Sequence, residues 1–244
     1  MSVPLEARRH LWLLNAAHSL THYSLLILPT AVLTMARQHG RFGSAYGPIL
    51  ELATGGFVLY GLFALPQGWL AARFGRHALL AVFFFGTSLS LIACGLAAGP
   101  LGLAAALAAA GFFAAIYHPV GTALLVDIAG ERVGKAVGVN GMCGNFGVAS
   151  APLLSGLLAY WLGWRAAFVV PGLIGIGVGA AWLRLPSGRL RASIAARPFP
   201  RIPPALVRRA VVVLLVIAAV SGLIFNAFTL LIPKLMEERL AGGP

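Results

Sequence analysis

Long apolar stretches follow one another along the whole chain, at 11–35, 49–72, 78–98, 101–128, 136–162, 166–185 and 210–233, with only short polar joints between most of them. Each is long enough to cross a hydrocarbon core of about 30 Å at about 1.5 Å of rise per residue. They are continuous and rich in Leu, Ala and Gly, whereas the strands of a membrane barrel run to about ten residues and alternate in polarity. An all-α integral membrane fold is therefore expected, with the lipid bilayer as its first partner. Composition agrees, since 59% hydrophobic and 10% charged residues leave too little polar surface to cover a water-soluble globule of 244 residues.

The net charge of +12 sits on the joints, without interleaved aromatic residues, so a nucleic-acid role is not expected. If the N-terminus is cytoplasmic, Arg37, Arg41, Arg165, Lys234 and Arg239 lie outside and all the rest of the 18 Lys and Arg residues lie inside. This asymmetry predicts a multi-pass protein of the cell membrane, inner or plasma, with its N-terminus in the cytoplasm. The first stretch is too long for a cleavable signal and should remain as an anchor. Cys94 and Cys143 both fall inside apolar stretches, away from any His or Cys cluster, and read as small packing residues.

Three segments follow. Residues 1–185 are expected to form a six-helix transmembrane bundle. Residues 186–209 read as a cytoplasmic linker, carrying Pro186, Pro198, Pro200, Pro203 and Pro204 among several arginines. Residues 210–244 supply a seventh helix and the opening of an incomplete second half, so the chain reads as truncated. An internal repeat supports the plan: 68–75 and 156–163 both read G-x-L-A-x-x-x-G, with Pro66 and Pro152 just upstream. The first copy closes a span that descends to the cytoplasm and the second a span that rises from it, so spans one to three and four to six form an inverted pair.

The run Gly68-Trp69-Leu70-Ala71-Ala72-Arg73-Phe74-Gly75-Arg76-His77 resembles the loop signature between helices two and three of the major facilitator superfamily, G-x-L-a-D-R-x-G-R-[KR]. Gly68, Leu70, Arg73, Gly75 and Arg76 match, while Ala72 replaces the usual Asp and His77 the usual basic residue. The resemblance implies that Gly68, Arg73, Gly75 and Arg76 act as a conformational latch, with Asp127 as the acid that pairs with Arg76. A narrower resemblance, to exporters of the fosmidomycin-resistance type, rests on Tyr117-His118-Pro119-Val120-Gly121, on 130–136 and on 144–154. Within it, Gly144, Gly147, Pro152 and Gly156 are similar to the helix-five motif of proton-coupled antiporters. The fold implied is the N-terminal six-helix half of that superfamily, a 3+3 inverted repeat, plus a seventh helix.

Polar side chains inside lipid are costly and should point into the bundle. Asn15, His18 and His22 recur at three- and four-residue spacing and form one stripe on the first helix. His22 lies near the bilayer midplane, and because His titrates near neutral pH the stripe could take a proton or bind a substrate; the competing reading is that the imidazoles only brace the bundle. His118 precedes Pro119, which lacks an N–H and should kink the fourth helix. The resemblance adds Tyr117 and Asn145 to the cavity, and Asn226 on the seventh helix joins them, with Ser221 and Thr229 nearby on the same span. Glu51 and Asp127 lie at the ends of their spans, so mid-membrane carboxylates are lacking. Gly138, Gly141, Gly144 and Gly147 recur every three residues and should offer a surface for close helix approach.

No phosphate loop, nucleophile triad or metal-ligand cluster stands out, so neither an enzyme, a cofactor nor a bound metal is expected. The reading reached is a secondary active transporter of a small molecule, working by proton-coupled efflux and alternating access, with the proton gradient as driving force. Its partner would be a missing C-terminal half or a second copy of the chain. Two alternatives compete: a non-transporting half-transporter or membrane interaction partner, and a seven-helix receptor-like protein. The second places its N-terminus outside, against the arginine distribution.

Overall fold

A computed structural model describes residues 5–38, 41–186 and 203–241, and among these the regular structure is helical with no strand. The chain divides into two compact units, 1–193 and 194–244. The first span is α1 (Leu5–Arg37), longer than the apolar stretch because Glu6, Arg8 and Arg9 at its start and Arg37 at its end extend the helix beyond the hydrocarbon. Span three is α5 (Arg76–Leu96), span five α8 (Val133–Leu162) and span six α9 (Trp164–Leu183).

Two spans depart from the continuous helices that hydropathy suggests. Span two is built of α2 (Tyr46–Glu51), α3 (Thr54–Ala64) and α4 (Gln67–Phe74). Pro66 cannot donate to the ladder, so the chain breaks there; Leu65 N–H turns back to Leu62 O at 3.3 Å and Gln67 Nε2 donates to Phe63 O at 2.9 Å. Span four runs as α6 (Pro100–Ala114), a π-helical turn at Tyr117–Gly121 around Pro119, and α7 (Thr122–Ala129). A missing N–H combined with one widened turn is a familiar way to bend a membrane helix. A 3₁₀ turn, Gly130–Arg132, then leads into α8, and Gly130 takes φ of 54°, a conformation glycine adopts without strain.

The helices pair as α1 with α8, α3 with α6, and α5 with α9. Exchanging spans one to three for spans four to six maps the first pair onto the second and the third onto itself, as a 3+3 repeat requires. The sequence repeat has a conformational counterpart. Gly75 and Gly163 both have φ of 86°, and their N–H groups donate to Ala71 O at 3.0 Å and Ala159 O at 3.1 Å, the alanines of the two G-x-L-A motifs. Each glycine ends one helix and starts the next span.

Close approach sets the first two pairs. A Cβ on Gly147 would lie 2.3 Å from Ser19 O of α1, and one on Gly111 of α6 would lie 2.0 Å from Gly56 O of α3. Gly144 faces the His18 ring just as tightly, and Gly156 meets Thr30 more loosely, but Gly138 and Gly141 meet nothing among the described residues. The expected small-residue surface is thus narrower than the sequence series. A three-residue step advances about 300°, so successive members drift around the helix and only some reach α1. Pro152 lies inside α8.

Much of the expected linker, 187–202, including Pro198 and Pro200, lies outside the described residues. Its last part does not remain a linker: α10 begins at Pro204 and runs to Ala241, so the seventh helix starts a turn and a half before residue 210. Proline favours the first helical turn, where its missing N–H would have no partner anyway.

Candidate functional site

The polar groups of α1, the π turn and α8 meet inside the first unit. His18 Nδ1 lies 2.7 Å from the backbone carbonyl of Asn140. A carbonyl can only accept, so Nδ1 carries the hydrogen and Nε2 is left with its lone pair. That lone pair lies 3.1 Å from His22 Nε2. The Asn140 amide donates to Asn15 Oδ1 at 2.9 Å and to the Tyr117 hydroxyl at 2.8 Å. Tyr117, fully buried, donates in turn to Leu14 O at 2.9 Å. Three helical elements are therefore joined by one connected network whose members satisfy one another, as buried polar groups must.

His118 completes the cluster from the π turn. Its ring centroid lies 5.0 Å from His18, 5.3 Å from His22 and 6.4 Å from Tyr60 of α3. His18 also stacks on Tyr117 at 5.1 Å. One ligand nitrogen from each of His18, His22 and His118 can be chosen so that all lie within 4.8 Å of one another. The expectation that no metal-ligand cluster exists is thus corrected. His118 arrives from a different helix, and convergence across helices leaves no trace in sequence spacing.

The other expected residues fall in several places. Asn145 does not join the network: it is exposed on α8, one residue and so about 100° beyond Gly144, which faces α1. Asn226 belongs to the second unit, where its amide donates to Gly222 O at 2.8 Å and Thr229 Oγ1 donates to Phe225 O at 2.8 Å. Glu51 is exposed at the end of α2. Asn140, the hub of the network, escaped the sequence reading. The signal was present, since an amide in the apolar run of the fifth span is as costly in lipid as the histidines of the first.

Among the loop residues, Arg76 Nη1 and Asp127 Oδ2 form a salt bridge between the start of α5 and the end of α7, both side chains partly exposed. Arg73 is exposed, with its guanidinium 5.7 Å from the Phe74 ring centroid, and Gly68 stands in open space. A cavity of about 460 Å³ opens beside this end of the bundle, between Arg8, Trp12, Leu125, Arg132 and Lys135, with Asn15 also in its lining. Asn15 thereby links the cavity to the polar network, because its side chain accepts from Asn140.

Residues 11–242 match the sequence pattern described as Major Facilitator Superfamily. The chain is similar to the puromycin resistance protein pur8 of Streptomyces alboniger, 39% identical over 117 residues, covering 47% of this chain and 22% of that protein. It is similar to the multidrug resistance protein B homolog of Mycobacterium tuberculosis (strain ATCC 25618 / H37Rv), 28% identical over 190 residues, 78% of this chain and 32% of that one. The cephamycin export protein CmcT of Amycolatopsis lactamdurans is 32% identical over 172 residues, 65% of this chain and 33% of that protein. The chain thus spans between 22% and 33% of the length of these relatives.

Proposed function

The chain belongs to the major facilitator superfamily, and on that premise we propose that this multi-pass membrane protein acts in secondary active efflux of a small molecule. The observation that carries the reading is the buried Asn15–Tyr117–Asn140–His18 network, reached from a cavity at one end of the bundle. Polar groups with two or more possible partners, enclosed at mid-depth, are what a transport site needs. Among the similar proteins, two carry names of resistance and one of export, which supports outward movement.

Movement would follow alternating access, the six-helix half rocking against a partner half or a second copy, with the proton gradient as energy source. The Arg76–Asp127 pair would bias closure at the cytoplasmic end, with the N-terminus on the same side. The test is accumulation of puromycin and ethidium in cells expressing the chain, with and without a collapsed proton gradient. Efflux predicts lower accumulation than in cells carrying Asn140→Leu, and loss of the difference when the gradient collapses. Equal accumulation in both cell lines, with equal protein in the membrane, contradicts the reading for these compounds.

A further inference from the structure

We propose that His18, His22 and His118 form a binding site for a single divalent transition-metal ion of the Zn²⁺, Co²⁺ or Ni²⁺ type. Two independent observations support it. The first is convergence: three imidazoles, two from α1 and one from the π turn, bring a ligand nitrogen each to within 4.8 Å of the others. With metal–nitrogen bonds of about 2.1 Å, tetrahedral ligands stand roughly 3.4 Å apart, so the shell closes if the widest pair of nitrogens, now within 4.8 Å, moves together by roughly an ångström or more. His18 and His22 are near that spacing, at 3.1 Å between their Nε2 atoms.

The second observation is orientation. Histidines that bind metal almost always donate their other ring N–H to a carbonyl or carboxylate, which fixes the tautomer and raises the basicity of the ligating nitrogen. His18 does this through Nδ1 to Asn140 O at 2.7 Å, and its Nε2 lone pair faces His22 Nε2, with the His118 ring centroid 5.0 Å from its own. For His22 to coordinate through Nε2, its ring hydrogen moves to Nδ1, and no net proton is lost. His118 owes its position to the turn around Pro119.

The donor set decides the class of ion. Imidazole suits zinc, nickel and related borderline ions, whereas Mg²⁺ and Ca²⁺ demand oxygen ligands. Among the described residues no carboxylate joins the three rings. The protein ligands are therefore neutral and three in number, which leaves a fourth position open to water or to an anionic donor, as in metal sites that exchange ligands.

The inference goes beyond transport and is read at equilibrium, so it stands or falls whether or not puromycin or ethidium moves. The chain is purified in detergent, its affinity tag removed, and titrated with Co²⁺ and Zn²⁺ while calorimetry and the visible Co²⁺ spectrum are followed. One equivalent is expected to bind, with the intense visible bands of low-coordinate Co²⁺, and Mg²⁺ should not compete. His118→Gln and His22→Gln should each weaken binding by more than about 100-fold, the upper end of what loss of an outer partner alone costs. His77→Gln, on a histidine stacked against Trp182 and outside the cluster, should leave it unchanged. If either cluster variant loses its helical circular dichroism, protection of engineered Cys at 22 and 118 from maleimide by Zn²⁺ replaces it as the readout. Absence of saturable Co²⁺ and Zn²⁺ binding, or binding that survives both substitutions, overturns the proposal.

Discussion

Asn140 holds the site together with one side chain and one carbonyl. Replacing it by Leu removes the donor to Asn15 Oδ1 and to the Tyr117 hydroxyl, while the carbonyl to His18 remains. Leaving buried partners unsatisfied costs about 1–3 kcal/mol, whereas side-chain bonds inside a membrane are worth about 0.6 kcal/mol on average. Asn140→Leu should therefore lower stability by about 1–3 kcal/mol, more than Tyr117→Phe, which forfeits the bonds to Leu14 O and from the Asn140 amide but leaves the Asn140–Asn15 bond and the ring on His18 in place. Thermal unfolding in detergent checks the order; equal or reversed effects would show that the network is not centred on Asn140. At this scale the sequence was only partly legible. The stripe on α1 follows from spacing within one helix, but Asn140 and His118 meet that stripe only through tertiary contact, and Asn145 stands exposed one helical step beyond Gly144.

At the scale of elements, the glycines of α8 separate into two kinds. A side chain at Gly147 must push α8 from α1, because Ser19 O would lie 2.3 Å from its Cβ. Gly147→Leu should cost at least the 1–3 kcal/mol typical of overpacking, read as lowered thermal stability in detergent. Gly138 faces open space, so Gly138→Ala should be neutral or stabilising by up to about 1 kcal/mol through helix propensity. The repeated turns make a parallel forecast. Gly75→Ala and Gly163→Ala force alanine into φ of 86°, and each should cost about 1–3 kcal/mol, with similar values at the two sites. Widely different costs would mean that the repeated motif does not carry a repeated structure. Helix positions were readable from hydropathy because every span must be apolar; the breaks at Pro66 and around Pro119 were less so, since a proline shows where a ladder bond is lost but not how the chain recovers it.

For the whole molecule, the Arg76–Asp127 pair is partly exposed, and exposed pairs contribute little to stability, about 0–1 kcal/mol. Asp127→Asn should therefore leave thermal stability within about 1 kcal/mol of the parent. If the pair acts as a latch, the same change should raise labelling of an engineered Cys at Asn15, which lines the neighbouring cavity; unchanged labelling would reduce the pair to an anchor. Orientation was drawn from arginine distribution and the repeat from two eight-residue motifs, and both describe one threading of the bilayer. That threading is tested most directly by a membrane-impermeant maleimide on intact cells carrying single cysteines in a Cys94→Ala, Cys143→Ala background. The account predicts that Arg41→Cys and Arg165→Cys label from outside, whereas Glu131→Cys and Arg73→Cys label only after permeabilisation. Labelling of Glu131→Cys or Arg73→Cys on intact cells, or of all four alike, would contradict it.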